Sequence, residues 1–576
     1  MASRYSLTAE LPATRKSLRR SIQNSDAANN AFHPPLPTQS HQQPHFEGDE
    51  KLSVPFKGAW NTDNARNESD HVNHTVRRNL SLRRGATRGE SRKGGNGGAD
   101  SALKSDFDTT NVIYDHRGYR VLKGEDRFGL TSHAFTEETS NDEGRSRRSR
   151  LAYLEGLRGV LGLQVLVWTF FRIFAPAIVA DRDVDGVYPA QFLSRSPEWQ
   201  TLLRKVLSPV LFDGELQAAF FVILSGRASL QTFIERRVAI SLAGAAFKRP
   251  FRFLLPMAVT LGLVSMVIAV NGFRYASEVS TALGNQIAQP PSQWGSALEY
   301  FNSLLFFFST SSYYRMARAT QFIPPSGTLW IVPVLFQQTY VMIILAFALP
   351  YTVVKYKNLG IILLILTTAW VGRWSWYTLT GLLLAEWSTI YLQLLPAKGI
   401  PLNRRASRHV PVWLPGVIFL ALGVFSKYIW VAAFPEAANR EIIAHVDGNT
   451  GKLNYDTDPA QVAFPRYDNW MLATGVLYLV EISPSFQRVF AAKPLAYLGR
   501  WSFSIALISG TVMLSLGSLI RHHLTVSAGW SSEAAVLGVL FLCLIPTCCG
   551  VAEMYSRIID DASLFGANWI WKWIRV

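Results

Sequence analysis

Cysteine is nearly absent: the chain of 576 residues has three, Cys543, Cys548 and Cys549, all within one apolar run near the C-terminus. That number and spacing exclude a disulfide framework and a zinc site, and they read as buried free thiols. Carboxylates are scarce relative to cations, with 41 Asp and Glu against 57 Lys and Arg and a formal net charge of +16. There is no internal repeat, Gly-rich phosphate loop, H-E-x-x-H helix or nucleophile elbow. Lack of a Walker motif argues against an ATP-driven pump and leaves secondary transport and membrane-embedded transfer chemistry. No apolar h-region follows Met1, so no cleaved signal peptide is expected.

The positive charge belongs to two unlike parts of the chain. Residues Met1 to Ser149 are rich in Ser, Asn, Arg, Gly and Pro and poor in aliphatic clusters, so they are expected to form a disordered basic cytosolic tail. Asn67, Asn73 and Asn79 begin Asn-x-Ser/Thr triplets that matter only if the tail is luminal. The runs RKSLRRS and RRNLSLRR suit kinases or anionic lipid, or are simply solvated charge. Residues 150–576 are dominated by long apolar runs. A membrane protein with basic cytosolic loops accounts for the charge, and nucleic acid is not an expected partner.

The stretch from Leu151 to Ala180 is apolar for more than a dozen residues after Arg158, broken only by Gln164 and Thr169, which is enough to cross a bilayer as a helix. Arg158 stands near its start, flanked by Gly156 and Gly159, with Glu155 just before. An arginine at the edge of hydrocarbon costs a few kcal/mol, so it faces a partner or a polar cavity, or else snorkels to the interface. Thr169 lies roughly 16 Å deeper on the same helical face, with Arg172 one turn beyond.

Hydropathy gives an all-α polytopic fold with about ten spans, near 153–178, 208–234, 253–272, 328–352, 358–373, 377–395, 410–434, 467–485, 495–519 and 533–556. Trp294 to Phe308 reads as a short interfacial or re-entrant helix. The loops richest in Lys and Arg, including Arg236, Arg237, Lys398, Arg404, Arg405 and Arg408, fall on the side of the tail. Both termini are therefore expected in the cytosol, with the span count even.

The second and third spans bracket a cation cluster, Arg227, Arg236, Arg237, Lys248, Arg249 and Arg252, at the level of Arg158. Guanidinium forks suit phosphates, and positive-inside anchoring is the plainer alternative. Arg158 and Arg252, inside apolar runs, are explained least by anchoring.

The chain resembles the acyltransferase 3 family of multi-pass membrane O-acyltransferases, as a divergent member. Glu155 to Gly159 is similar to its D-G-L-R-G entry, Phe220 to Gly226 to F-F-V-L-S-G, and Lys248 to Pro256 to R-x-x-R-x-x-P. Trp330 to Phe336 is similar to W-x-x-x-V-E-F, Gly381 to Ala385 to G-x-L-L-A, and Pro494 to Ser504 to P-L-x-Y-L-G-x-x-S-Y-S. The order is that of the family over roughly residues 151 to 565. The resemblance implies transfer of an acyl group from acyl-CoA as cosubstrate to a hydroxyl of a sugar, lipid or small metabolite, with no bound cofactor or metal. It assigns Arg158, Arg249 and Arg252 to the donor's phosphates or reacting carbonyl.

The chain departs from the family where protons move. Thr169 stands in place of the family's histidine on the first span, Leu335 in place of a carboxylate, and Ser509 in place of a later histidine. Neither a threonine hydroxyl nor leucine is a base near neutral pH, and loss of general-base help slows such reactions by about 10²- to 10⁴-fold. Substitutes read from the sequence are Glu215 first, then Asp213, Glu386, Glu481, His522 and His523. The expected function is a membrane O-acyltransferase whose catalytic positions are Arg158, Thr169 and Glu215. The alternatives are a catalytically degenerate relative that binds an acyl donor or lipid, and a transporter. Membrane lipid, acyl-CoA and an unidentified hydroxyl acceptor are the partners implied.

Overall fold

The computed structural model describes residues 112–114, 120–122, 140–179 and 196–574, the last range without 237–238, 286–287, 311–313, 316, 353, 392–398, 402–408, 435–440, 442–444, 447–450, 452 and 454–461. Most of the basic tail, with Asn67, Asn73, Asn79 and both basic runs, lies outside the described residues, as do Arg237, Lys398, Arg404, Arg405 and Arg408.

A small antiparallel pair, β1 (Val112–Tyr114) and β2 (Arg120–Leu122), precedes the helices and pairs Val112 with Leu122. The principal helices follow as α1 (Ser140–Phe174), α2 (Glu198–Leu211), α3 (Gly214–Ser229), α4 (Ala239–Ala269), α5 (Ala276–Leu283), α6 (Ala297–Ser309) and α7 (Ile331–Ala348). Then come α8 (Val354–Trp370), α9 (Ser375–Glu386), α10 (Leu414–Tyr428), α11 (Tyr467–Ile482), α12 (Lys493–Val512), α13 (Glu533–Tyr555) and α14 (Asp561–Ile574). Helix α1 begins upstream of the expected boundary at 149, because Glu143, Arg145, Arg147 and Arg148 are good helix formers that extend a helix nucleated by the apolar run.

Among the described residues seven helices, counting continuous runs such as Lys493–Ser527, are long and apolar enough to cross a membrane. They coincide with the expected spans except 358–373, 377–395 and 467–485, where α8, α9 and α11 are shorter, with 17, 12 and 16 residues. Helix α9 is buried on nearly every side, as a helix at the centre of a bundle must be. The outside of the bundle exposes large apolar side chains such as Met266, Val270, Ile344, Phe347, Leu366 and Leu542, a surface suited to lipid rather than water. Helix α6 matches the expected short helix. Ser296 caps it by accepting from the Glu299 amide at 3.2 Å, and Leu298, Phe301 and Leu305 lie exposed while Leu304 and Phe307 are buried.

Glycine seams set the closest crossings. Helices α1 and α12 run parallel: Gly156 meets Phe490 and Leu495, Gly159 meets Leu495 and Gly499, Gly162 meets Ser502, and Phe174 meets Gly517 at the far end. A Cβ at Gly156 would lie 1.7 Å from the Phe490 carbonyl oxygen, and one at Gly499 2.0 Å from that of Glu155. Gly226 of α3 and Gly381 of α9 make a second such contact, a Cβ at Gly381 falling 2.2 Å from the Ile223 oxygen. Two pairs of glycine-bearing segments are thus opposite sides of two helix crossings.

The direction of the other pairs follows from contacts at both ends. Helices α3 and α11 are parallel, with Glu215 against Arg466 and Arg227 against Glu481. Helices α10 and α11 are antiparallel, Gly416 facing Tyr478 and Gly423 facing Leu472. Helices α12 and α13 are also antiparallel, Ser504 meeting Asp560 just beyond α13 and Arg521 meeting Glu533.

Backbone-to-backbone contact leaves no room for relaxation. Gly499→Val should therefore destabilise the protein by on the order of 1–3 kcal/mol or more, whereas Gly538→Ala, which meets nothing within 4 Å, should unfold like wild type. Thermal unfolding in one detergent checks this, and equal midpoints for the two variants would refute the seam.

Candidate functional site

Helix α4 carries the core of the site. Pro250 removes the amide that would bond the Ala246 carbonyl, and the Tyr340 hydroxyl of α7 donates to that carbonyl instead at 3.2 Å. This ties α7 to α4 beside Arg249. Arg249 and Arg252 are three residues apart and share a helical face.

Arg249 donates from Nη2 to the Ser225 Oγ of α3 at 2.9 Å, and its guanidinium lies 5.1 Å from the centre of the Phe253 ring. Arg158 of α1 completes the group: Arg158 and Arg249 each feel the like charge of Arg252, and Arg249 that of Arg158 as well. Two carboxylates act on this trio at longer range, Glu155 on Arg158 and Asp560 on Arg252. None of the three arginines has an ion-pair partner within 4 Å among the described residues. Arg158 and Arg249 are half-buried, and Arg252 is open to solvent. Three guanidiniums converging with no salt-bridged carboxylate make a site for a polyanion.

Several other buried charges of the bundle are paired where they stand. Arg227 binds Glu481 at 2.6 Å, and the Tyr153 hydroxyl donates to the same carboxylate at 2.8 Å. Lys357 binds Glu386 at 2.8 Å, both fully buried. Asp213 caps α3 by accepting from the Glu215 and Leu216 amides, and it pairs with Lys427, which also has Asp468 at 3.9 Å.

The four carboxylates that the sequence singled out are all engaged in ion pairs. Glu215 is held between Arg315 at 2.9 Å and Arg466 at 2.7 Å, so it acts as the counterion of two guanidiniums. Glu386 and Glu481 are similarly engaged. Thr169 is buried away from the arginines and donates from Oγ1 to the Val165 carbonyl at 2.8 Å. Leu335 packs among apolar side chains. His522 stacks on Tyr275 at 4.2 Å and lies 3.1 Å from Glu278, at the Phe174 end of the bundle, with His523 exposed nearby. Of the sequence-read cations, Arg158, Arg249 and Arg252 are brought together, and Arg227 is drawn off into its own pair.

Sequence reasoning missed Asp560. Its Oδ2 accepts from the Ser504 hydroxyl at 2.5 Å, and its Oδ1 is buried without a hydrogen-bond partner among the described residues. The signal was present in a carboxylate at the end of an apolar run, the same signal that singled out Glu386. Ser225 and Tyr340 sit inside or beside the motifs but had not been separated from the packing residues around them.

Comparison of the chain with protein-family models, with curated proteins and with solved structures finds no match.

Paired and unpaired charges should respond oppositely to neutralisation. Glu481→Gln strands Arg227 and should cost about 3–5 kcal/mol. Arg252→Gln removes a like charge from the trio and should leave the unfolding midpoint unchanged or raise it. Differential scanning of both variants in the same detergent decides this, and a large loss for Arg252→Gln would mean that the trio is structural.

Proposed function

We propose that the protein is a membrane-embedded O-acyltransferase that takes the polyphosphate end of acyl-CoA between Arg158, Arg249 and Arg252. The observation that carries this reading is the convergence of those three arginines, each from a motif of the acyltransferase 3 resemblance, without a salt-bridged carboxylate. The parallel and antiparallel pairings fit ten crossings of alternating direction. Seven crossings alone would set α1 and α12 antiparallel. On this reading both ends of the bundle's chain lie on one side, and the cations at the Arg158 end favour the cytosol as that side.

With the phosphates at Arg158, the donor's acyl end extends along α1 toward Thr169, roughly 16 Å further. The acceptor's hydroxyl oxygen attacks the thioester carbonyl carbon, the carbon–sulfur bond breaks, and the CoA thiolate leaves with the hydroxyl proton passing to a base. At Thr169 the family's base is missing, and Glu215, Glu386 and Glu481 are engaged elsewhere. This favours a second reading: a relative that binds acyl-CoA or an anionic lipid and no longer transfers the acyl group.

Hydrolysis and transfer of radiolabelled acetyl-CoA by the purified protein in lipid separates the two. The enzyme reading expects wild-type turnover that falls at least about tenfold in Arg158→Ala. Thr169→His should raise turnover if the pocket lacks only its base. No turnover in wild type or Thr169→His, with intact acyl-CoA binding, would overturn the enzyme and leave the binding protein.

A further inference from the structure

At the opposite end of α1 from Arg158, a cavity of about 260 Å³ lies among Phe174, Gln200, Arg521, Trp530, Glu533 and Val536. It is about 24 Å from the arginine trio along α1, counted over sixteen residues. Gln200 of α2 is 1% exposed and Arg521, beyond α12, is 9% exposed. The Gln200 Nε2 and Arg521 Nη1 atoms are both buried with no hydrogen-bond partner among the described residues. Two unsatisfied donors on residues that line one polar cavity are costly unless something accepts from them.

Arg521 and Glu533 lie 3.7 Å apart through Nη2 and Oε1, too long for a close charge-assisted hydrogen bond. Their charges cancel, so the cavity suits a ligand of small net charge rather than a phosphate dianion. The size of the cavity suits a small ligand.

We propose that this cavity is a binding site for a small monocarboxylate carrying a hydroxyl or ammonium group beside the carboxylate. The carboxylate accepts from Arg521 Nη1 and Gln200 Nε2, and the neighbouring donor reaches Glu533. Phe174 and Val536 cover the carbon skeleton. This site stands apart from the arginine trio, and its assignment does not depend on acyl transfer.

Titration of the full-length protein in lipid nanodiscs with lactate, alanine, propionate and inorganic phosphate tests the assignment. Lactate or alanine is expected to bind at one site, propionate more weakly, and phosphate least. Whichever of the two binds tighter shows whether hydroxyl or ammonium is the natural donor. Arg521→Gln and Gln200→Leu should each weaken that binding about ten- to a hundredfold. Gln200→Leu leaves the Arg521–Glu533 pair in place, so it reads the site even if Arg521→Gln fails to fold. Binding by none of the probes, phosphate binding as tightly as lactate and alanine, or affinity unchanged in a folded Gln200→Leu protein would each overturn the proposal.

Discussion

An ionised side chain inside an apolar bundle must find an opposite charge, and this requirement organises the molecule. Two residues at the start of α3, Asp213 and Glu215, gather Lys427, Arg466 and Arg315 from three later parts of the chain. At the other end of α3, Arg227 gathers Glu481, Tyr153 and Gln231. These networks fix α3 against α10 and α11, which glycine contacts alone would leave free to slide. Against that background the trio Arg158, Arg249 and Arg252 is the exception: three like charges held together by the fold, with carboxylates only at longer range. Removing one partner of a buried pair is strongly destabilising, and three arginines with no ion-pair partner within 4 Å among the described residues are open to a charge from outside the chain.

The glycine seams give the motif resemblance a second meaning. Gly156 and Gly159 face the segment from Leu495 to Gly499, and Gly226 faces Gly381. The four segments carry glycine where helix backbones touch, as small residues permit between membrane helices. Arg158 takes its position from this contact. It sits between two glycines that press against α12, while its own side chain turns toward α4.

Much of the architecture was legible in hydropathy. The runs at Leu151–Phe174, Ala239–Ala269 and Glu533–Tyr555 are long enough to be read directly, and Arg249 and Arg252 stand out in one cation cluster at the level of Arg158. The state of the carboxylates was not legible. Glu215 looked available because its partner Arg466 is 251 residues away, a separation at which sequence carries no sign of contact. Asp560 was overlooked because it follows an apolar run whose end was drawn at 556, short of the turn that brings it to Ser504. The glycine seam left a signal in the spacing of Gly156, Gly159 and Gly162, but beside an arginine those glycines read as chemistry instead of packing.

The most direct test of the account is the equilibrium affinity of the purified protein in lipid for CoA as salt is raised. If the arginine trio is a polyanion site, affinity falls steeply with ionic strength. Replacing Arg158 and Arg252 together should then remove most of the binding and most of its salt dependence while the fold is retained. An affinity that ignores salt, or that survives the double replacement in a folded protein, would contradict the central claim.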